Sequence, residues 1–404
     1  MTEGGLSEGR LDRMHDTLAR YCERGEVPGI VMLLKRRGET YVDAIGETSI
    51  TGGKPVTGDA IFRISSMTKP VTAVATLMLL EECKLRLDAP VDGWLPELAN
   101  RRVLKSLRGP IDDTVPAERP TTVRDLLAFR MGFGLLFGGP GEYPILDAVR
   151  ERELLGMGPP EPASPLSPDE WIRRLGELPL MHQPGERWMY NMGSYVLGVL
   201  IARASGKPLD VFFRERIFEP LGMKDTGFHV PEEKRSRFTA CYARRPGSNE
   251  LSLVDDPSSG AWSHPPVFPD AGAGLVSTAG DFLAFAQMLL DFGRCGTGRL
   301  LSRPSVEAMT TDQLTPGQKK ASPFFPGCWD DGGYGFGVSV VTHRGGPTAT
   351  PGQYGWDGGY GSSWRSDPRE QMVGIILTTR LFSSPQLPDV CTDFWSSAYA
   401  AIDD

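Results

Sequence analysis

Between Pro70 and Leu80 the chain carries no charge, and Val71, Val74, Ala75, Leu77, Met78, Leu79 and Leu80 spread apolar side chains around a whole helix instead of along one stripe. This predicts a buried helix over residues 62–82 with a short strand-like lead, too short between its charges to span a bilayer. Elsewhere the pattern is striped. Leu11, Met14, Leu18 and Tyr21 recur at three-to-four spacing among charges, predicting an amphipathic helix over 6–24 that packs on a sheet. Strands at 29–35 and 40–45 follow, joined by Arg36-Arg37-Gly38-Glu39 as a hairpin loop. Five prolines from Pro90 to Pro120 break residues 89–121 into short pieces, and a short helix is expected at 122–129. The glycine- and proline-dense stretch 131–168 reads as surface loops at a pocket mouth. Helical stripes resume at 168–178, 190–204, 208–218, 280–292 and 303–311, whereas 228–269 is polar and irregular. Strands are expected at 334–342, 362–365 and 372–379, with turns at Gly345-Gly346, Gly358-Gly359 and Asp367-Pro368, and a last helix at 387–401.

Strands near both ends and a helical middle predict an α/β (α+β) fold: one antiparallel sheet built from both ends of the chain, flanked by helices, with a mainly helical region inserted. The expected division is residues 1–88 with 270–404 for the sheet domain and 89–269 for the inserted domain, with a site in the cleft between them. A chain of 404 residues, 40% of them hydrophobic, can bury a core of that size.

Composition narrows the function classes. The net charge of −8 is scattered, with no basic run longer than the triplet Lys35-Arg36-Arg37, so a nucleic-acid partner is not expected. No membrane partner is expected either. Residues 1–10 hold acidic side chains and no apolar core, unlike a secretory signal, so a cytoplasmic location is expected. The six cysteines show no metal-type pairing and read as free thiols, and no metal site or cofactor is expected. The five histidines are dispersed, and a Gly-x-Ser-x-Gly elbow is missing.

The chemistry sits at the head of the buried helix. Ser66 and Lys69 are three apart, which puts both side chains on one helical face within a turn. A serine hydroxyl is a poor nucleophile until a base takes its proton; lysine can be that base in the neutral form that burial favours, and a helix N-terminus favours developing negative charge. The alternative, a helix cap followed by a surface lysine, would call for an amphipathic pattern after Lys69. Tyr190, after Pro184-Gly185 and at the start of an apolar helix, is a candidate second proton carrier. A free phenol ionises near pH 10, so it works near neutrality only beside a cation such as Lys69. Packing beside Trp188 is the other reading of an isolated tyrosine. The run Tyr354-Gly355-Trp356-Asp357-Gly358-Gly359-Tyr360-Gly361 lets backbone approach a ligand, and a strand-edge N–H there could face an oxyanion; a plain hairpin explains the glycines equally well.

Together these stretches resemble the serine hydrolases that share the fold of class C β-lactamases and penicillin-binding proteins. Ser66-Met67-Thr68-Lys69 is similar to their Ser-x-x-Lys, Tyr190 to their tyrosine, and Trp356-Asp357-Gly358 to their Lys-Thr-Gly. The runs at 122–127, 184–188 and 272–278 match in order, so the resemblance extends from about Leu11 to the final helix. A tryptophan at the head of the third motif resembles the family VIII carboxylesterases and the lovastatin-type acyltransferases. The resemblance implies an acyl-enzyme on Ser66, acid–base work by Lys69 and Tyr190, an oxyanion hole from the N–H groups of Ser66 and Gly359, and a small-molecule ester substrate held near Trp356, Asp357, Gly358, Asn191 and Met192. Rival activities are acyl transfer, β-lactam hydrolysis, and D-amino-acid amide or peptide cleavage. A non-enzymatic binding homologue would predict damage to Ser66, Lys69 or Tyr190, and none is damaged. Two departures stand out. Met192 occupies the place of an asparagine two residues after the tyrosine, with Asn191 displaced by one, and Asp357 adds a negative charge beside the pocket.

Overall fold

The computed structural model describes residues 3–139, 141–154, 164–245 and 247–404. Its centre is a seven-stranded antiparallel sheet: β1 (Gly29–Arg36), β2 (Glu39–Gly46), β3 (Gly332–Tyr334), β4 (Ser339–Val341), β5 (Tyr354–Gly358), β6 (Ser362–Asp367) and β7 (Met372–Thr378), in the spatial order β3-β4-β5-β6-β7-β1-β2. Early and late segments meet where β1 lies against β7, from Ile30↔Thr378 to Arg36↔Met372.

Alternation along β1 sends its side chains to two different cores. Ile30, Met32 and Leu34, with Ile376 of β7, pack under helices α1 (Glu8–Glu23) and α5 (Asp389–Ala400). Val31 and Leu33, with Val373, Ile375 and Leu377, face the larger core that holds α2 (Thr68–Glu81), α3 (Met192–Ser205) and α4 (Ala279–Leu290). With both faces covered, β1 and β7 read as continuous apolar runs. α2 is buried from Thr68 through Leu79, as its all-round apolar pattern predicts. Among the described residues no helix is long and apolar enough to cross a membrane.

Four expectations change. The loop stretch 131–168 contains a helix, Pro144–Glu151, which Pro144 starts and which buries Ile145, Leu146, Ala148 and Val149; residues 155–163 of that stretch lie outside the described residues. The irregular stretch 228–269 holds a hairpin, Cys241–Arg244 with Leu251–Asp255. A short helix at Pro316–Ala321, capped by Thr315 and Gln318, was not foreseen. The single strand expected at 334–342 is two strands, β3 and β4. Between them Gly337 takes φ +74, and a Cβ on it would stand 2.9 Å from the Lys69 carbonyl oxygen, so the chain turns where it presses on the head of α2.

One buried ion pair braces the approach to that head. Arg63 donates from Nε to Asp255 at 2.8 Å and from Nη1 to the Thr239 carbonyl at 2.6 Å, with Phe238 4.0 Å from its guanidinium carbon. Both partners are nearly inaccessible. Asp255→Ala leaves the arginine buried without its counter-charge and is expected to cost about 3–5 kcal/mol, read as a lower urea midpoint at unchanged slope. A loss under about 1 kcal/mol contradicts this.

Candidate active site

A two-residue ribbon delivers the serine. Phe62–Arg63 pairs with Val276–Ser277, and Ile64 N–H donates to the Leu275 carbonyl at 3.0 Å. Ser65 then takes φ +46, a left-handed conformation that costs a non-glycine residue about 1–3 kcal/mol and persists only where its surroundings fix it. Ser66 lies in the 3-10 turn Ser65–Met67 that runs into α2, one turn before the α-helix where the spacing alone would put it.

The geometry brings the three chemical groups together. Lys69 Nζ donates to Ser66 Oγ at 2.9 Å and to the Gly272 carbonyl at 2.7 Å. Tyr190 donates its hydroxyl proton to Ser66 Oγ at 2.8 Å, and the Trp356 indole N–H donates to the Tyr190 oxygen at 3.3 Å. Lys69 is 1% exposed, and the Tyr190 ring lies 4.7 Å from its Nζ, so two hydrogen bonds and an aromatic face replace the lost water. Tyr190 precedes α3 by two residues instead of starting it. Its segment is pinned by Met189 N–H to the Phe129 carbonyl at 2.8 Å and by Leu135 N–H to the Tyr190 carbonyl at 2.7 Å. Its ring packs on Phe324 at 5.0 Å, Phe129 at 5.7 Å, and Trp188 and Trp356 at 5.8 Å.

The remaining positions of the motif separate. Ser66, Tyr190, Asn191, Trp356, Asp357 and Gly359 all line one cleft of about 1490 Å³. Asn191, at φ +95, turns the chain into α3, and its side-chain amide lies 3.5 Å from the Tyr195 hydroxyl. Met192, grouped above with substrate contacts, is fully buried in the large core, because the first residue of α3 faces inward. Gly358 is likewise a packing position: a Cβ there would run into the Ile64 carbonyl and the Ser362 side chain, so its absence lets β5 close on the turn that carries Ser66.

Asp357 differs most from expectation. Alternation along β5 turns Trp356 toward Tyr190 and Asp357 to the opposite face, where Arg365 holds it through two bonds of 2.7 and 2.8 Å and Ser363 donates to it at 2.6 Å. Its charge is matched within the sheet instead of standing free beside Ser66.

Residues not singled out from sequence complete the surroundings. Tyr334 stacks on Phe129 at 5.0 Å and packs edge-on to Trp356 at 5.3 Å; burial pushes its phenol well up, so it stays neutral. Asp270, 1% exposed, accepts from Gly272 and Ala273 N–H at 2.6 and 2.9 Å. The signal for it was the Pro269-Asp270-Ala271-Gly272 sequence, a turn that an aspartate carboxylate favours.

Taken together, a serine oxygen held by an amine and a phenol at the floor of an aromatic cleft can support proton removal and covalent acyl transfer. A family model described as Beta-lactamase matches residues 14–389. The chain is 37% identical over 375 residues to Protein Rv1367c of Mycobacterium tuberculosis, covering 91% of this chain and 89% of that one. It is 31% identical over 398 residues to Esterase EstB of Burkholderia gladioli, covering 94% and 92%. The solved structure of EstCE1, described as a hydrolase with promiscuous acyltransferase activity, superposes with a TM-score of 0.79 at 23% identity, covering 97% of this chain and 99% of that one.

Proposed function

Since the chain belongs to the Beta-lactamase family, we propose that it is a serine hydrolase of the family VIII carboxylesterase type, cleaving small carboxylic esters through an acyl-enzyme on Ser66. The observation that carries this reading is the contact of Ser66 Oγ with both Lys69 Nζ and the Tyr190 hydroxyl. The cycle requires Tyr190 to take the proton as a phenolate, with Lys69 as the fixed positive charge beside it and the Trp356 N–H directed at the same oxygen. The Ser66 O–H proton passes to the Tyr190 oxygen as Oγ bonds to the ester carbon, and the N–H groups of Ser66 and Gly359 receive the oxyanion. Collapse breaks the bond to the alkoxy oxygen, which takes the proton from Tyr190. Water then repeats the sequence on the acyl-enzyme, and an alcohol in its place gives acyl transfer, the second reading that the EstCE1 likeness favours. The reaction centre lies between the sheet part, 1–88 with 270–404, and the helical part, 89–269. Incubation with p-nitrophenyl esters and with nitrocefin, followed by intact mass for a single acyl adduct, tests the proposal; turnover of nitrocefin alone overturns it in favour of β-lactam hydrolysis.

Trp356 sets the expected selectivity. A lysine at this position could hold a substrate carboxylate, whereas an indole offers one N–H and no charge, and here that N–H is directed at Tyr190. A hydrogen bond to a charged group contributes roughly 1.5–3 kcal/mol, so a carboxylate-bearing substrate is expected to bind about ten- to a hundredfold more weakly than it would beside a lysine. The added repulsion expected from Asp357 drops out, since Arg365 neutralises it. The measurement is kcat/KM for p-nitrophenyl butyrate, a hemisuccinate ester and nitrocefin in wild type and Trp356→Lys. Butyrate is expected to lead in wild type, and a lead for the hemisuccinate defeats this account of Trp356.

A further inference from the structure

Asp270 is a buried carboxylate that takes no part in the steps above. Its Oδ1 holds the Gly272 and Ala273 N–H groups, and Tyr195 supplies a hydroxyl donor. The turn it holds runs along the head of α2. Lys69 Nζ donates to the Gly272 carbonyl at 2.7 Å, Thr72 Oγ1 to the Ala271 carbonyl at 2.7 Å, and Leu275 N–H to Thr68 Oγ1 at 3.1 Å. The titratable groups that act on Asp270 are Lys69 from α2 and Tyr195 from α3, with Tyr190 acting in turn on Tyr195. Burial raises the Asp270 carboxyl, opposed first by the Lys69 charge and then by the two backbone donors and Tyr195. Burial also pushes the Tyr195 phenol well up, so Tyr195 faces the carboxylate as a neutral donor.

We propose that Asp270 is a positioning residue for acyl transfer at Ser66: its charge, acting across the Gly272–Ala273 peptide, holds Lys69 as the ammonium, and its grip on the Ala273 N–H of that peptide aims the Gly272 carbonyl that keeps Lys69 Nζ beside Ser66 Oγ. This rests on the Ser66, Lys69 and Tyr190 reading above. With the amine kept protonated, the proton from Ser66 goes to the Tyr190 oxygen, and Lys69 serves as a fixed positive charge. Removing the carboxylate charge lets the pair release its protons at lower pH, and within the form that holds one shared proton it shifts that proton from the amine to the phenol oxygen.

The test is the rate of Ser66 phosphonylation by a neutral alkyl fluorophosphonate across pH 5–10, in wild type and in Asp270→Asn and Asp270→Ser. Both replacements keep an oxygen that can accept from the Gly272 and Ala273 N–H groups and remove the charge. The expected result is a plateau roughly tenfold lower, with both limbs of the pH profile displaced by about one unit to lower pH. Limbs that coincide with wild type in a folded variant reduce Asp270 to a turn former and overturn the proposal, whatever the plateau. Should neither variant fold, wild-type protein carrying ¹³Cε-lysine is titrated by NMR: a second step in the Lys69 signal at acid pH, where Asp270 protonates, is expected, and a single step overturns the proposal. Absence of labelling in wild type defeats the Ser66 reading and this inference with it, whereas normal wild-type labelling with unmoved limbs defeats this inference alone.

Discussion

Replacing Ser66 with alanine is expected to lower ester turnover by ~10⁴-fold or more while the protein stays folded. The loss is that large because the covalent route disappears: Lys69 and Tyr190 remain, but no oxygen stands between them to bond to the acyl carbon. The fold should survive. Lys69 Nζ keeps the Gly272 carbonyl at 2.7 Å, and the 3-10 turn is held by backbone bonds such as Met67 N–H to the Ile64 carbonyl at 3.1 Å. Steady-state turnover together with intact mass after fluorophosphonate treatment checks this. A folded variant that retains a tenth of wild-type activity, or that still takes up one phosphonyl group, would remove Ser66 from its role.

Tyr190→Phe is the second large effect. The ring keeps its packing on Phe129, Trp188, Phe324 and Trp356, so stability should change little. The variant loses the hydroxyl that contacts Ser66 Oγ and accepts from the Trp356 N–H. General acid–base catalysis of this kind contributes about 10²–10⁴-fold, and the fall should appear in kcat, with KM for a neutral ester nearly unchanged. Leaving groups sharpen the test. p-Nitrophenolate departs without a proton and an alkoxide does not, so ethyl esters should lose more than p-nitrophenyl esters. Kinetic constants equal to wild type across the pH range would leave Tyr190 as packing only.

Much of this site was legible because its groups sit at recognisable joints of the chain. An all-round apolar helix headed by one lysine has few homes outside a core, and a serine three residues earlier then has to lie beside that lysine. The sheet was legible for a similar reason: apolar β-branched runs such as Gly29–Arg36 and Met372–Thr378 suit strands covered on both faces. What failed was local or long-range. The helix Pro144–Glu151 lies just after a glycine-rich run, whose punctuation masks the helical face made by Ile145, Leu146, Ala148 and Val149. The run 334–342 reads as one strand through Gly335 and Gly337, because an apolar run does not show that a helix head presses on its middle. Asp357 lines the cleft as the motif implies, but a motif names positions and not faces, and the two-residue alternation along β5 turns its carboxylate to Arg365. Asp270 could not be matched with Lys69 at all, since about two hundred residues separate them and only the folded turn brings them near.

The pairing of β1 with β7 also carries a consequence for how the protein is made. Strand β1 leaves the ribosome long before its partner, because the register from Ile30↔Thr378 to Arg36↔Met372 pairs it with a strand far downstream in the chain. At about 5–20 residues per second, β1 waits roughly 20–70 s for β7. During that interval Ile30, Val31, Met32, Leu33 and Leu34, all buried in the finished protein, have no permanent cover on one edge. Nascent chains stalled before residue 372 should therefore be retained by chaperones, and slowing translation between β1 and β7 should lengthen the exposure without altering the final fold.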